Sequence, residues 1–185
     1  MAVVKGTPSV RTLNDFLVPG MLNLSIEKVL AMLNEHCYTM QESQVLAQRV
    51  YNRLLFLRRE VENKPIGTRI QSDIILRYGE LVGNVLQSLR KYSTKTLVAR
   101  VAANRRFLES VEAIHKRIDY FFLKVNLSKR PEMTEWKEHW ERDLEFQQLL
   151  YSAFFSNKLV VNAELTERGL EEALTEIKRR SSRKN

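Results

Sequence analysis

The chain has 185 residues, a formal net charge of +8 and a hydrophobic fraction of 44%, which excludes extensive disorder and favours one domain over two. Its single cysteine, Cys37, excludes an internal disulfide, and the start MAVVKGTPSV lacks the apolar run of a secretory signal. These two features predict a reducing, cytoplasmic location. No apolar run approaches the roughly 18–20 residues of a transmembrane helix, so at most we expect peripheral association at a membrane.

Residues 1–20 are predicted to be an extended lead-in, because prolines and Gly20 interrupt any regular hydrophobic period. The apolar residues Leu13, Phe16 and Leu17 are expected to dock on the body of the protein.

A first helix is predicted to begin after Ser25, whose hydroxyl can accept a bond from a backbone amide of the first turn. Cys37 lies in its apolar face and is expected to be a small core residue rather than a reactive thiol. A second helix over 41–63 has the same period and ends before Pro65 and Gly67. The apolar positions at three-and-four spacing in these two helices are Ile26, Val29, Leu30, Leu33, Cys37, Met40, Leu46, Val50, Leu54, Leu57 and Val61.

A third helix carries Gly79 and Gly83 among the apolar positions Ile70, Ile74, Tyr78, Leu81, Val85 and Leu89. Each glycine would weaken an exposed helix by about 1 kcal/mol relative to alanine, so we expect both to pack closely against a neighbour. The longest periodic segment follows from Leu97 to about Asn126 and is predicted to be a single helix. Its apolar seam includes two polar residues, Asn104 and His115.

A further helix is predicted from Pro131, a residue suited to a first helical turn, to about Asn157. A weaker amphipathic pattern runs from Glu164 to Lys178. The predicted fold is therefore all-α: an antiparallel four- to five-helix bundle with an additional C-terminal brace-like helix. The predicted organisation is a lead-in over 1–20, a helical bundle over 21–160, and an amphipathic helix with a basic tail over 161–185.

The segment TEWKEHWERD is the first candidate site. Glu135, His139 and Asp143 recur every four residues, a spacing from which a helix can hold a metal ion. The chain has no second cysteine and no HExxH pattern to complete such a site. We interpret these residues instead as the shoulder of an amphipathic helix, with Lys137 and Arg142 as their charge partners.

His115 is the second candidate. A catalytic base needs a nucleophile or a substrate pocket beside it, and no serine, cysteine or carboxylate pattern suggests one. We interpret His115 as a core histidine bonded to a neighbouring side chain, beside Asn104, where it would set the helix register. Since no phosphate-binding glycine motif is present either, we expect no enzyme activity, no cofactor and no metal.

Positive charge is concentrated in residues 65–130, which contain thirteen basic and five acidic residues. The densest part, called here the basic corner, consists of Arg90, Lys91, Lys95, Arg100, Arg105 and Arg106. Such a cluster is either a solvated helix end, a surface for an acidic protein, or a surface for anionic lipid. Nucleic acid is disfavoured as a partner, because aromatic residues are not interleaved with the basic run.

Several segments together resemble the N-terminal helical region of the tyrosine-kinase-like protein kinases of oomycetes. They are TLNDFLVPGMLNLS near the start, KTLVARVAANRR, the helix end VNL and the segment WKEHWERD, and the resemblance spans nearly all of residues 1–160. At fold level this region is similar to the four-helix bundle and brace of the mixed-lineage-kinase-domain-like pseudokinase. The resemblance implies a regulatory, membrane-binding or self-associating module attached to a kinase-like domain.

The chain contains none of the glycine-rich loop, VAIK lysine, HRD and DFG motifs of a kinase, so it cannot transfer a phosphoryl group. It is either a stand-alone bundle or the front of a longer kinase. The expected function is a non-catalytic regulatory or adaptor module of kinase-type signalling that binds a protein partner or a kinase-like domain, with self-association as a further expectation. The alternative is a peripheral membrane binder that recognises anionic lipid and disrupts bilayers after oligomerising.

Overall fold

The computed structural model describes residues 13–63 and 69–156, together with Thr175. Within these residues it contains six α-helices and no strand, so the prediction of an all-α helical bundle is confirmed. The helices are α1 (Ile26–Thr39), α2 (Gln44–Glu62), α3 (Arg69–Ser93), α4 (Leu97–Ala102), α5 (Asn104–Lys124) and α6 (Pro131–Ser156). The predicted helix over 164–178 and the basic tail lie outside the described residues, apart from Thr175.

Four helices enclose the main core. α1 packs on α2 and α3, α5 closes the opposite side against the same two helices, and α6 lies on the outside of α2 and α5. The predicted apolar positions of α1 and α2 are all 2% exposed or less, which confirms the helical period of both segments. Cys37 is fully buried as predicted, and burial raises the pKa of its thiol to about 12.

Local signals in the sequence fix several helix ends. Ser25 accepts a hydrogen bond from the Lys28 amide at 3.4 Å and caps α1, as predicted. α5 ends in a Schellman motif, in which Asn126 has a φ of 61° and the Leu127 amide donates to the Phe122 carbonyl at 2.8 Å. α6 begins at Pro131, again as predicted.

The predicted single helix from Leu97 to Asn126 is wrong, because the structure breaks it at Ala103 into α4 and α5. The two pieces bury their apolar faces against different neighbours. Leu97 and Val101 cluster with Leu150 and Tyr151 of α6, whereas α5 faces the main core. One straight helix cannot satisfy both contacts, so the chain turns between them.

The end of the lead-in docks on α3, through two glycines. A Cβ at Gly83 would lie 2.7 Å from Val18 Cγ1, and a Cβ at Gly79 would lie 3.1 Å from Pro19 Cδ. The expectation of close packing at both glycines is therefore confirmed, and the nearest neighbour of each is the lead-in. Leu13 is buried and Phe16 packs on the core, but Leu17 is 60% exposed and does not dock.

Candidate functional site

The basic corner forms where the end of α3 meets the start of α5. Tyr92 of α3 and Phe107 of α5 contact each other edge to face, with ring centroids 5.1 Å apart. This contact brings Arg90 and Lys91, in the last turn of α3, to the same end of the bundle as the first turn of α5.

Five of the six predicted residues have exposed side chains: Arg90, Lys91, Lys95, Arg105 and Arg106. Arg105 forms a surface ion pair with Glu109 at 3.1 Å, and Lys95 Nζ lies 5.4 Å from the centroid of the Tyr92 ring. Among the described residues no carboxylate lies within ion-pair distance of Arg90, Lys91, Lys95 or Arg106. The corner therefore presents cations to solvent with little internal neutralisation.

Arg100 is a correction to the predicted surface. Its side chain is only 12% exposed and makes a two-bond ion pair with Glu42, with Nε–Oε1 at 2.6 Å and Nη2–Oε2 at 3.2 Å. Its Nη1 also donates to the Lys95 carbonyl at 2.7 Å. Arg100 thus links α4 to the short 3-10 turn Gln41–Ser43 that precedes α2. Arg100 follows Leu97 by three residues and so lies near the apolar seam of α4, but this spacing alone does not distinguish a buried cation from an exposed one at the edge of the helix.

His36 lies beside the corner, in contact with the end of α3. Its Nδ1 is 2.8 Å from the hydroxyl of Ser93, at the end of α3. The pKa of His36 is lowered, first by burial and then by the positive charge of Arg90. The neutral imidazole therefore adds no charge to the corner near neutral pH.

The geometry of α6 separates Glu135, His139 and Asp143. His139 Nε2 lies 3.7 Å from Glu135 Oε1, but Asp143 is buried and accepts two bonds from Arg49 of α2, one of them from Nη2 at 2.9 Å. Among residues 13–63 and 69–156 no group of histidine, cysteine or carboxylate side chains is arranged to hold a metal. The expectation that Lys137 or Arg142 is the charge partner of Asp143 is wrong, because its partner Arg49 lies on another helix.

His115 is a core histidine bonded to a neighbouring side chain, as interpreted, but that side chain belongs to Arg53 and Asn104 is not part of the contact. Its Nδ1 is 2.9 Å from Nη1 of Arg53, and its ring stacks on Trp136 with centroids 4.4 Å apart. Burial, followed by the positive charges of Arg53 and Arg49, lowers its pKa to about 3. The neutral ring therefore accepts the Arg53 bond at Nδ1. Asn104 is elsewhere and accepts a bond from Gln147 at 2.9 Å.

Sequence reasoning missed Arg53 and Asp119, which connect three helices. Arg53 Nη2 lies 2.5 Å from Asp119 Oδ1, and the same guanidinium donates to the carbonyls of Glu132 and Met133 at 3.2 and 3.0 Å. Trp136 Nε1 donates to Asp119 at 3.0 Å. The signal was available, because Arg53 follows Val50 by three residues and thus lies on the apolar face of α2.

Trp136 and Trp140 share a face of α6 but not the same environment. Trp136 is 5% exposed within the Arg53 network, whereas Trp140 is half-buried and packs edge-on against Trp136 at 5.8 Å. Trp136 is therefore the more deeply buried of the two tryptophans.

No helix in the described part of the chain is both long and apolar enough to cross a bilayer. Comparison of the sequence with protein-family models and curated proteins, and of the fold with solved structures, found no match. The functional argument therefore depends on the geometry of the basic corner and of the interior networks.

Proposed function

We propose that the protein is a non-catalytic regulatory or adaptor module that binds an acidic surface of a protein partner through the basic corner. The observation that carries this proposal is the set of exposed cations at one end of the bundle, of which only Arg105 has a carboxylate partner among the described residues. Cations left without internal partners favour an anionic ligand and accelerate its approach.

Packed side chains hold the helices of the basic corner in place, so a partner can bind there without a large rearrangement of the bundle. Tyr92 and Phe107 pack together directly under it, and the buried Arg100–Glu42 pair fixes α4 beside it. A rigid frame lowers the entropy lost when exposed arginine and lysine side chains engage a partner.

The interior histidine supports a non-catalytic function. His115 is fully buried, stacked on Trp136 and bonded to Arg53, so its ring has no open path to a substrate. A general base must reach the proton that it removes. The polar residues of the interior therefore serve packing and helix placement in this proposal.

The resemblance of the sequence to the helical region of tyrosine-kinase-like kinases supports a place in kinase-type signalling. On that basis the acidic partner is a kinase-like domain or a protein that regulates one. The fold-level likeness sets only the direction of the search for the partner.

The test is binding of a fluorescent acidic peptide, such as a ten-residue glutamate-rich peptide, measured by anisotropy at low and moderate salt. We expect salt-sensitive binding that is weakened in Arg105→Glu/Arg106→Glu. The matched control is Arg117→Glu/Lys124→Glu, which makes the same change of charge at exposed positions nearer the other end of α5. Equal weakening in both double variants would reject the basic corner, because only net charge would then matter.

A second candidate is recognition of anionic lipid by the same cations, each worth about 1 kcal/mol near such a surface. Co-sedimentation with phosphoinositide-containing and neutral liposomes separates the two functions. Salt-sensitive binding to the anionic liposomes alone, lost in Arg105→Glu/Arg106→Glu and kept in the control, would favour the membrane function. Absence of sedimentation would leave protein recognition.

A further inference from the structure

A groove of about 170 Å³ lies between α2 and α6, and none of the basic-corner residues lines it. Each helix contributes residues at positions i, i+3, i+4 and i+7, so one stripe of each helix faces the other. The lining residues are Arg49, Asn52, Arg53 and Phe56 from α2, and Glu132, Glu135, Trp136 and His139 from α6.

Ion pairs and hydrogen bonds connect α2 to α6 and to the residue just before it. Toward the middle of α6, Arg49 pairs with Asp143. At the other end, Arg130 just before α6 lies 3.3 Å from Glu60 of α2. Between them Arg53 donates to backbone carbonyls at the start of α6. The spacing of α2 and α6 is therefore set by bonds that do not depend on what the groove contains.

Two buried polar atoms of the lining residues have no hydrogen-bond partner among the described residues: Glu132 Oε2 and His139 Nδ1. A buried carboxylate oxygen without a donor is costly, so natural sites supply one. Arg53 does not supply it, since its guanidinium is used by His115, Asp119 and the backbone. The other nitrogen of His139, Nε2, faces Glu135. In the neutral tautomer with its proton on Nε2, Nδ1 is a hydrogen-bond acceptor, the second one in the groove after Glu132 Oε2.

The charge around the groove is negative although the whole chain is positive. Arg49 and Arg53 are neutralised by Asp143 and Asp119, which are their ion-pair partners. Lys137 lies 3.6 Å from Asp119 and adds one positive charge, whereas Glu132 and Glu135 add two negative charges. The local balance is one excess negative charge, facing the aromatic side chains of Phe56 and Trp136.

We propose that this groove binds a small organic monocation with an N–H donor head and a short apolar stem, such as an alkylamine. The ammonium head donates to Glu132 Oε2 and His139 Nδ1, and the stem lies against Phe56 and Trp136. The volume is well below the roughly 300–1,000 Å³ of pockets for drug-sized ligands, so the ligand has only a handful of heavy atoms. An organic cation fits better than a metal, because no metal-binding arrangement exists among the described residues. The inference is independent of the basic corner.

The first experiment is a titration with n-butylamine hydrochloride, followed through the two tryptophan indole N–H signals in a ¹H–¹⁵N spectrum of the full chain. Trp140→Phe assigns the signals. We expect a saturable shift of the Trp136 signal with n-butylamine and no saturable shift with 1-butanol, which has the same stem and no charge. Absence of saturation up to tens of millimolar n-butylamine, or an equal response to 1-butanol, would overturn the proposal and leave a groove that holds only water.

Variants of the carboxylates locate the site. Glu132→Gln removes the charge with little change of shape and should weaken n-butylamine binding about tenfold or more, as expected for loss of a charge-assisted hydrogen bond. Glu135→Gln should weaken n-butylamine binding less, and it provides the test if Glu132→Gln does not fold. Glu141→Gln is the matched control, since Glu141 is exposed on the opposite side of α6. Unchanged affinity in Glu132→Gln or in Glu135→Gln, or an equal loss in Glu141→Gln, would contradict the proposed site.

Discussion

Buried charged residues decide how α6 attaches to the bundle. Arg53 contacts Asp119 of α5 and the first turn of α6 at once, and Trp136 shares the same carboxylate. The side chains of Arg53 and Asp119 are only 7% and 12% exposed. A buried ion pair of this kind stabilises the fold little more than an apolar pair would. Removal of one partner is nevertheless strongly destabilising, because the other charge then stays buried without a counter-charge.

Asp119→Ala should therefore destabilise the fold by about 3–5 kcal/mol, since Arg53 loses its counter-charge inside the protein. Urea denaturation measures the change in the free energy of unfolding. The control is Arg53→Met/Asp119→Leu, which removes both charges. This double variant should be more stable than Asp119→Ala. If its loss of unfolding free energy equals the sum of the losses in its two single variants, the two residues are not coupled.

His115 should make stability depend on pH. Its pKa is lowered from 6.5 to about 3 in the folded protein, so between these values only the unfolded chain binds the proton. The stability that neutral His115 contributes is complete above about pH 6.5 and decreases as the pH falls through this window. The expected loss is about 1 kcal/mol between pH 7 and pH 5.5.

His115→Gln provides the comparison, because its side-chain oxygen can still accept a bond from Arg53. Its free energy of unfolding should fall less between pH 7 and pH 5.5 than that of the original protein. Part of the pH dependence that remains comes from His36, whose pKa is also lowered in the folded protein. Parallel curves for the two proteins would show that His115 does not carry this pH dependence.

At the scale of elements, the contact between the lead-in and α3 depends on the absence of a Cβ atom at Gly83. The Leu17–Ser25 bridge and the bond from the Val18 amide to the Leu24 carbonyl close a small loop. That loop places Val18, only 2% exposed, against the backbone of Gly83. Valine is stiff at χ1, so Val18 cannot easily turn away from an added methyl group.

Gly83→Ala should destabilise the protein by about 1 kcal/mol, because overpacking of about 1–3 kcal/mol outweighs a helix-propensity gain of about 1 kcal/mol. Thermal and urea unfolding measure this change. In a Val18→Ala background the clash is removed, so the same substitution should become neutral or stabilising. Destabilisation of equal size in both backgrounds would show that Val18 is not the obstacle.

Most elements could be predicted because each follows from a local signal. The period of apolar residues identified α1, α2 and α3, and Ser25 and Pro131 marked two helix starts. The break at Ala103 could not be predicted this way. It depends on Leu97 and Val101 meeting Leu150 and Tyr151, which are about fifty residues away in sequence.

At the scale of the whole molecule, the sequence predicted a basic cluster but could not divide it into structural and exposed cations. Arg100 and Arg106 lie six residues apart and look alike in the sequence. Their difference comes from Glu42, a buried carboxylate that lies far away in the chain and pairs with Arg100 and not with Arg106. The α2–α6 groove is likewise formed by helices that are distant in sequence.

Single substitutions at these two arginines should separate the two functions of the cluster. Arg100→Met leaves Glu42, whose side chain is 1% exposed, without its partner and should cost about 3–5 kcal/mol in the free energy of unfolding. Arg106→Met removes the same charge from an exposed position and should change stability by no more than about 0.5 kcal/mol, while it weakens binding of the acidic peptide. Urea denaturation and peptide anisotropy on both variants measure the two effects. Equal stability of Arg100→Met and Arg106→Met would mean that the Arg100–Glu42 pair does not hold α4, and the end of the bundle would then lack the rigid frame on which recognition through the corner depends.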